Sequence, residues 1–408
     1  MMARLSLLIL PFLDGAAADL QPTGPQRDAF HSFMREHDRE YELGSYEYHH
    51  RLALYLKRAE EVEAHNAQPE RLWTAGINHL SDRTEAELAQ LLGWRGAAAD
   101  PGIGVAQPPG SVSFLRQSGR SRPLPEEFMN WSSLASVKKI KLQGSCGSCW
   151  AIAAATVLQQ HFEIHNPQVE RTFSAEELVQ CVPNPNYCGG QGGCSGSTVE
   201  LALHWAQTQG LAQEKENSYR RWKHNDACKK KLQVGLLQGR GDLDFGAEEL
   251  SRPGAHAAPA GAPGRAFGMA GWERLPENGY GALLRALVGR GPVAVSVGSR
   301  AWQSYRHGVF DSCKKDAVIN HAVVLVGYGK DREKGVLFYD IQNSWGQSWG
   351  ERGHIRLLRR EGDAEECGVD KVPQLGTGCR GGPKSVKVCG MCGILYDSAV
   401  PHFEKLAA

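Results

Sequence analysis

The sequence predicts an α+β fold with a helical first half and a strand-rich second half. Residues 27–92 have apolar side chains at helical spacing, and the stretch 46–66 is long, charged and free of Gly and Pro. Residues 150–165 predict a further helix. After residue 290 the pattern changes to short apolar runs, which are typical of strands. Helices followed by strands indicate two lobes.

The elements follow one another in a clear order. The helical segment 27–92 is followed by residues 96–123, which are rich in Ala, Gly, Pro and Ser and have no periodicity. Such a composition is typical of a linker, and an exposed linker is open to proteolysis. The helix over 150–165 comes next. Strands are expected at residues 293–297, 321–326, 336–342 and 354–358.

Two further stretches interrupt this plan. Residues 252–268 are rich in Ala, Gly and Pro, and we expect them to form an exposed insertion. Residues 368–391 are rich in Gly and Cys and separate the last predicted strand from the C-terminal segment. We interpret them as a second insertion.

Charge and cysteine content exclude several classes of protein. The chain has 408 residues, a formal net charge of +1 and 11 cysteines. A nearly neutral chain argues against binding to nucleic acid or to a membrane surface. So many cysteines are unusual in a cytosolic enzyme, and the odd number fits five disulfides and one free thiol. We therefore expect a protein of the secretory pathway.

The N-terminus agrees with secretion. Arg4 precedes an apolar run over 5–13, and the three alanines at 16–18 resemble a signal-peptidase site. The run is too short to span a bilayer. We interpret residues 1–18 as a signal peptide, and expect no membrane association once it is removed.

Three short motifs suggest a thiol nucleophile with its base and orienting group. The segment 143–150 is QGSCGSCW, His321 begins an apolar strand, and Asn343 begins an NSWG segment. The first motif matches the C-G-[SA]-C-[WY] signature around the nucleophile of papain-like proteases. The chain therefore resembles the papain family of cysteine proteases. This resemblance implies a papain-like fold with a helical left lobe and a β-barrel-like right lobe.

The region before the linker resembles the propeptide of cathepsin L-like members. The segment 76–82 resembles the family's G-x-N-x-F-x-D motif, with Leu80 in place of Phe. Six residues of the stretch 46–66 match a spaced propeptide pattern in which the family more often has Phe, Asn and Ile at the third, fourth and fifth positions: Glu47, Arg51, Tyr55, Arg58, Val62 and Asn66. The resemblance implies an inhibitory propeptide over 19–123 and a peptidase domain over 124–408.

The resemblance assigns a role to each catalytic residue. Cys149 is the nucleophile, and the Ala-rich run after it predicts a helix whose N-terminus favours the thiolate. His321 pairs with the thiolate and protonates the leaving amine. Asn343 orients the imidazole, and Trp345 shields that hydrogen bond from water. The Gln143 amide contributes to the oxyanion hole.

The resemblance also implies the substrate-binding residues. Gly196 and Ser197 border the cleft on the left lobe, and Trp345 and Trp349 lie on its leaving-group side. Two alignments of the C-terminal segment with the papain family remain open. If residues 392–401 match the family's closing segment, Asp397 lies at the base of the pocket for the side chain two residues before the cut. An acidic residue there would accept Lys or Arg as well as an apolar side chain. Otherwise Asp397 is an exposed loop residue.

The remaining cysteines are expected to form disulfides. The resemblance implies the bridges Cys146–Cys194 and Cys181–Cys228, and it pairs Cys313 with either Cys367 or Cys392. The partners of Cys188, Cys379 and Cys389 stay open. Two alternatives carry little weight: a zinc site at Cys379, Cys389 and Cys392, and a redox role for the C-x-x-C that ends at Cys149. We expect no metal and no cofactor.

We therefore expect a cysteine-type endopeptidase that is made as a zymogen and acts through an acyl-enzyme intermediate. Its expected partners are polypeptide substrates and its own propeptide, and we expect a monomer. The expected location is the lysosome, a digestive vacuole or the extracellular space. An exopeptidase of the same family, with an added loop that blocks one end of the cleft, is an alternative. So is a non-catalytic papain-like binding protein.

Overall fold

The computed structural model describes residues 22–93, 123–220, 227–228, 254–362 and 365–406. The predicted signal peptide and most of the predicted linker lie outside these residues. Within them the α+β class is confirmed, with a propeptide, a helical lobe and a β-rich lobe. No helix of the described residues is long and apolar enough to cross a membrane.

The propeptide is a small helical unit that adds a strand to the β-rich lobe. It comprises α1 (Gly24–Glu36), α2 (Tyr46–Asn66), β1 (Trp73–Ala75) and α3 (Glu85–Gln90). The bounds of α2 are those that the sequence predicts. Phe30 and Tyr55 pack in its core. The Asn66 side chain pairs with the backbone of Ala75, donating to its oxygen at 3.0 Å and accepting from its nitrogen at 2.9 Å, which fixes β1 against α2.

The left lobe is helical, as predicted. It contains α4 (Ala135–Lys138), α5 (Cys149–His165), α6 (Ala175–Cys181) and α7 (Val199–Gln209). Helix α5 is buried along nearly its whole length, because its many alanines let neighbouring elements approach it on every side. This central position fixes the N-terminus of α5 beside the right lobe.

The right lobe is built on a nine-stranded sheet. Its order is β1-β5-β8-β7-β6-β4-β11-β3-β2, and every neighbouring pair is antiparallel except β5 and β8. The right-lobe strands are β2 (Gly254–Ala257), β3 (Met269–Arg274), β4 (Val293–Val297), β5 (Tyr305–Phe310), β6 (His321–Lys330), β7 (Leu337–Gln342), β8 (His354–Arg359) and β11 (Asp397–Phe403). Helix α8 (Tyr280–Gly289) packs against this sheet through Leu283 and Leu287.

The stretch expected to be an exposed insertion, residues 252–268, is largely packed where the structure describes it. Strand β2 pairs with β3, and a 3₁₀ helix over Pro263–Phe267 lies against α7. A Cβ on Gly264 would lie 2.9 Å from the Gln207 Cα, so only glycine allows this approach. The small residues that suggest a loop serve close packing instead.

The second predicted insertion forms a hairpin, which we call the strap and define as residues 367–389. Its strands are β9 (Cys367–Asp370) and β10 (Val386–Cys389), paired antiparallel as a separate two-stranded sheet. A disulfide between Cys367 and Cys389 closes the base of the strap. A second disulfide joins Cys379, near its tip, to Cys188 of the left lobe.

All eleven cysteines lie within the described residues, and ten of them form disulfides. The structure contains the bridges Cys146–Cys194 and Cys181–Cys228, and of the two partners considered for Cys313 it contains Cys392. The three cysteines considered for zinc belong to three different disulfides. Cys149 is the free thiol.

Candidate active site

The cleft between the two lobes brings Cys149 and His321 together. Cys149 is the first residue of α5 and His321 is the first residue of β6, and both line one cavity at the junction of the lobes. Asn343 follows directly after β7, which pairs with β6. Three separate elements of the chain therefore supply the three side chains, and the packing of α5 against the sheet fixes their relative position.

The imidazole of His321 is oriented by Asn343. His321 Nε2 donates to Asn343 Oδ1 at 2.8 Å, which leaves Nδ1 as the nitrogen available to a thiol. Among the described residues Nδ1 has no hydrogen-bond partner. The Trp345 ring lies 5.1 Å from the imidazole and is buried, so water is kept from the His321–Asn343 bond.

The Gln143 amide is held in place at both ends. Ser344 Oγ donates to Gln143 Oε1 at 2.7 Å, so Nε2 faces the cleft. There Nε2 donates to the Leu91 oxygen of the propeptide at 3.0 Å and to the Cys146 oxygen at 2.9 Å. The propeptide thus offers a carbonyl oxygen to the donor that the sequence assigns to an oxyanion.

Tyr219 is a positioning residue that sequence reasoning missed. Its hydroxyl donates to the Gln143 oxygen at 2.9 Å and contacts Ser148 Oγ. It therefore braces both ends of the loop that precedes Cys149. The sequence carries no local signal for this role, because Tyr219 lies 70 residues beyond the nucleophile in a segment without a recognisable motif.

The propeptide backbone passes directly over the sulfur of Cys149. A Cβ on Gly93 would lie 2.9 Å from Cys149 Sγ, and one on Gly196 would lie 1.4 Å from the Gly93 oxygen. Gly147 makes a similar approach, with its Cβ position 2.9 Å from the Gly93 Cα. Glycine on both sides of this contact lets two backbones meet without side chains between them.

Burial under the propeptide disfavours charge on both Cys149 and His321. Cys149 is 3% exposed, and burial raises the pKa of its thiol to about 11 although backbone N–H groups oppose the shift. Burial likewise lowers the pKa of His321 to about 4, against the effect of its bond to Asn343. The thiolate that the helix N-terminus is expected to favour is thus not favoured in this covered state.

Ser197 and Trp349, two further predicted substrate-binding residues, are both buried in this covered state. Ser197 lines the cavity together with Cys149. Trp349 is fully buried, with its ring 5.0 Å from Trp345, and it belongs to the same apolar cluster as Leu80, Leu88 and Leu91 of the propeptide. Trp349 therefore packs against Trp345 while the propeptide covers the cleft.

Asp397 is a buried residue of β11 and carries its own counter-ion. Arg274 Nε donates to Asp397 Oδ1 at 2.9 Å, and Ser296 Oγ donates to Oδ2 at 2.7 Å. Glu200 lies 3.7 Å from the same Arg274 nitrogen, and burial and the nearby Asp397 raise its pKa to about 8. Ser296 and Val199 line the cavity in front of this cluster. Sequence reasoning missed Arg274 and Glu200, since neither lies near Asp397 in the chain.

Among the residues that the structure describes, no three His, Cys, Asp or Glu side chains are placed to hold a metal ion. The chemistry available in the cleft is that of a thiol, an imidazole and two side-chain amides.

Comparison with known proteins agrees with this geometry. Residues 124–377 match the model of the papain family of cysteine proteases, and residues 30–88 match the cathepsin propeptide inhibitor domain. A cathepsin L-like proteinase of Fasciola hepatica is 28% identical over 86% of this chain and 94% of its own length. Mouse cathepsin K is 27% identical over 90% and 96%.

Solved structures show the same fold. A digestive procathepsin L2 proteinase from the larval midgut of Tenebrio molitor superposes with a TM-score of 0.65 at 22% identity, covering 93% of this chain and all of the other. A recombinant stem bromelain precursor gives 0.64 at 24% identity, covering 93% and 99%. In both, the superposed chain is a precursor form.

Proposed function

The chain belongs to the papain family of cysteine proteases and carries the cathepsin-type inhibitory propeptide, and from that premise we propose that Cys149 is the nucleophile with which it cleaves peptide bonds. The protein is a peptide-bond hydrolase made as a zymogen. The single observation that supports the assignment is the pairing of the one free thiol, in a cavity shared with His321, with an imidazole already oriented by Asn343. Nothing in the comparisons favours a non-catalytic protein.

The proposed reaction has two half-reactions, the acylation of Cys149 and the hydrolysis of the acyl-enzyme. The Cys149 thiolate attacks the scissile carbonyl carbon, and the carbonyl oxygen becomes an oxyanion. The backbone N–H of Cys149 and the Gln143 amide stabilise that oxyanion. His321, protonated by the thiol, then gives the proton to the leaving amine, and the acyl thioester remains on Cys149. Water, deprotonated by His321, hydrolyses the thioester and restores the thiol.

The remaining assignments are part of the same proposal. Residues 1–18 are a signal peptide, 19–123 the propeptide and 124–408 the peptidase domain, which acts as a monomer. Passage through the secretory pathway to a lysosome, a digestive vacuole or the extracellular space is supported by five disulfides, which persist in oxidising compartments. Substrates are polypeptides.

Labelling with an epoxide thiol alkylator tests the nucleophile. The processed protein is expected to form one thioether, at Cys149, because the other ten cysteines are in disulfides. The precursor is expected to be labelled much more slowly, since Gly93 covers the sulfur. Peptide mass spectrometry locates the label, and Cys149→Ser serves as the unlabelled control. A processed, folded protein that is not labelled at Cys149 contradicts the assignment.

The Arg274–Asp397 pair is proposed to set the preference for the side chain two residues before the cut. Because Arg274 neutralises Asp397, we expect Leu to be preferred to Arg at that substrate position. Replacement of Arg274 by Met removes the counter-ion, and the Arg-to-Leu ratio of kcat/KM is expected to rise roughly tenfold. Matched peptides that differ at this one position provide the measurement.

Two variants control for indirect effects. The double variant Arg274→Met/Asp397→Asn removes both charges, and its ratio is expected to return towards that of the parent. Arg290→Met breaks a comparable ion pair, 2.7 Å from Arg290 Nη1 to Glu273 on β3, and should leave the ratio unchanged. If Arg274→Met leaves the Arg-to-Leu ratio of kcat/KM unchanged, the Arg274–Asp397 pair does not face the substrate.

A further inference from the structure

The strap joins the two lobes covalently across the cleft. Its base belongs to the right lobe, where Ile319 N donates to Asp370 Oδ2 at 3.1 Å and Val369 N donates to Asp316 Oδ1 at 2.9 Å. Its tip reaches the left lobe through the Cys188–Cys379 disulfide, which joins residues 191 positions apart. The strap therefore spans from one wall of the cleft to the other.

Backbone hydrogen bonds fix both ends of this span. On the right wall, Thr377 N donates to the Ile319 oxygen at 3.0 Å, two residues before His321. On the left wall, Gly189 N donates to the Gly378 oxygen at 3.1 Å, and Arg380 N donates to the Asn186 oxygen at 2.8 Å. Consecutive residues of the strap thus contact opposite walls.

The strap crosses on the acyl side of the nucleophile. Gly376 and Thr377 line the same cavity as Cys149 and His321. Val199 and Ser296, in front of the Arg274–Asp397 pair, line it too, whereas Gln143 and Trp345 do not. The strap therefore lies beside the proposed pocket for the residue two before the cut, and away from Trp345 on the leaving-group side.

The strap is packed tightly enough to act as a fixed barrier. A Cβ on Gly376 would lie 1.9 Å from the Ile319 oxygen, so its backbone touches the right wall directly. On the left wall the Arg380 guanidinium lies 3.8 Å from the centre of the Tyr187 ring. With a disulfide at its base and another near its tip, the strap cannot swing aside as an open loop would.

We propose that the strap closes the acyl side of the cleft beyond the second substrate residue, so that chains with only two residues before the cut are the preferred substrates. The inference rests on the proposed function and deepens it. The chemistry at Cys149 is the same, but the strap limits the number of substrate residues that can lie before the scissile bond. A third residue meets the backbone of Gly376 and Thr377. We expect a third residue to weaken substrate binding rather than to slow the chemical step.

A series of peptides of increasing length measures this restriction. The peptides share the scissile bond and a Leu two residues before it, have free amino termini, and carry one, two, three or four residues before the cut, the additional ones being Gly. For the acid-processed full-length protein, kcat/KM is expected to be highest with two residues and at least tenfold lower with three. The loss is expected in KM, with kcat changed less than threefold.

Two variants release the tip of the strap, and a third is the matched control. Cys188→Ser/Cys379→Ser removes the tether, and the penalty for a third residue is expected to fall below threefold. A strap shortened by replacing residues 371–385 with Asn-Gly, combined with Cys188→Ser, should give the same result if the first variant folds poorly. Cys367→Ser/Cys389→Ser removes the disulfide at the base, away from the cleft, and should keep the tenfold penalty.

The outcomes separate this inference from the proposed function. If the parent protein cleaves three- and four-residue acyl sides as well as two-residue ones, the strap is no barrier and the inference is overturned. If the penalty is present but unchanged in both released variants, the strap is only a structural brace, and the inference is again overturned. If no peptide is cleaved and Cys149 resists alkylation, the proposed function itself fails.

Discussion

Replacement of Cys149 by Ala is expected to lower kcat by about 10⁵-fold or more, because removing the nucleophile of a catalytic triad has effects of this size. No second free thiol exists to substitute for it. The variant is expected to fold, since Ala fits the buried, Ala-rich start of α5. Hydrolysis of a fluorogenic peptide by the acid-treated protein, measured over hours, gives the residual rate.

The control for this variant uses the protein as its own substrate. The Cys149→Ala precursor should not convert itself in acid, yet an equal amount of processed parent protein should cut it in its linker, at the reduced rate expected for a long acyl side. A cut confined to the linker, with the peptidase domain left intact, would show that the variant is folded and the linker accessible. Turnover above about 1% of the parent rate in the folded variant, which far exceeds the residual rate of triad knockouts, contradicts the assignment of Cys149.

The elements that sequence patterns describe well are those defined by local rules. Helix α2 has the predicted bounds because its charged, Gly-free stretch begins after the capping Ser45, whose side chain accepts from Tyr48 N. Strand β4 also has the predicted bounds, and β6 extends four residues beyond its prediction. Short motifs with fixed neighbouring residues predict the family and the fold class, and both predictions are confirmed.

What the sequence does not show are contacts between distant segments. Arg274 reaches Asp397 across 123 positions, and that one ion pair changes the charge expected for the proposed pocket. Cys188 and Cys379 are 191 positions apart, and no pattern selects this pairing among the cysteines left open. For residues 254–268, Ala and Gly indicate a loop by composition, although here their small size permits close packing.

The intact precursor is expected to be at least about 100-fold less active at pH 7 than the processed protein. The propeptide is tethered to the cleft that it covers, which gives it an effective concentration of about 1 mM, so that even a Kd of about 10 μM leaves only about 1% of clefts open. Trp73 Nε1 and Asn78 Nδ2 anchor it to the right lobe through Ser312 and Gln303. Initial rates, with chain mass checked before and after, provide the test.

Acid is expected to release the propeptide through His79. Burial lowers the pKa of His79 to about 4, and the positive charges of Arg39 and Arg83, with that of His37 once it is protonated, oppose its protonation further. Because the groups that surround His79 belong to the propeptide, His79 regains its ordinary pKa near 6.5 when the propeptide dissociates and unfolds, and it then binds a proton more readily. The bound propeptide therefore keeps its full stability above pH 6.5 and loses up to about 3 kcal/mol as the pH falls towards 4.

The Glu87 carboxylate of the propeptide does not respond to acid in the same pH range as His79. Although burial opposes it, the hydrogen bonds from Arg51 and Thr84 lower the pKa of Glu87 to about 2. The contribution of this folded-state shift is fully present above the ordinary pKa of Glu87, 4.5, and is lost progressively as the pH falls from there to about 2. The Arg51–Glu87 pair that holds α3 to α2 thus persists at pH 4 to 5, where the His79 contribution is already being lost.

The variant His79→Gln is therefore expected to convert itself at a lower pH than the parent, with the midpoint shifted down by about one unit, because a neutral amide gains no proton on release. His50→Gln changes an exposed histidine of α2 and should leave the midpoint in place.

Each precursor is incubated from pH 3.5 to 7, and the processed fraction is measured by chain mass. Thermal unfolding at pH 7 separates a general loss of propeptide stability from a change confined to acid. An unchanged midpoint in a folded His79→Gln precursor would contradict the role of His79 in release.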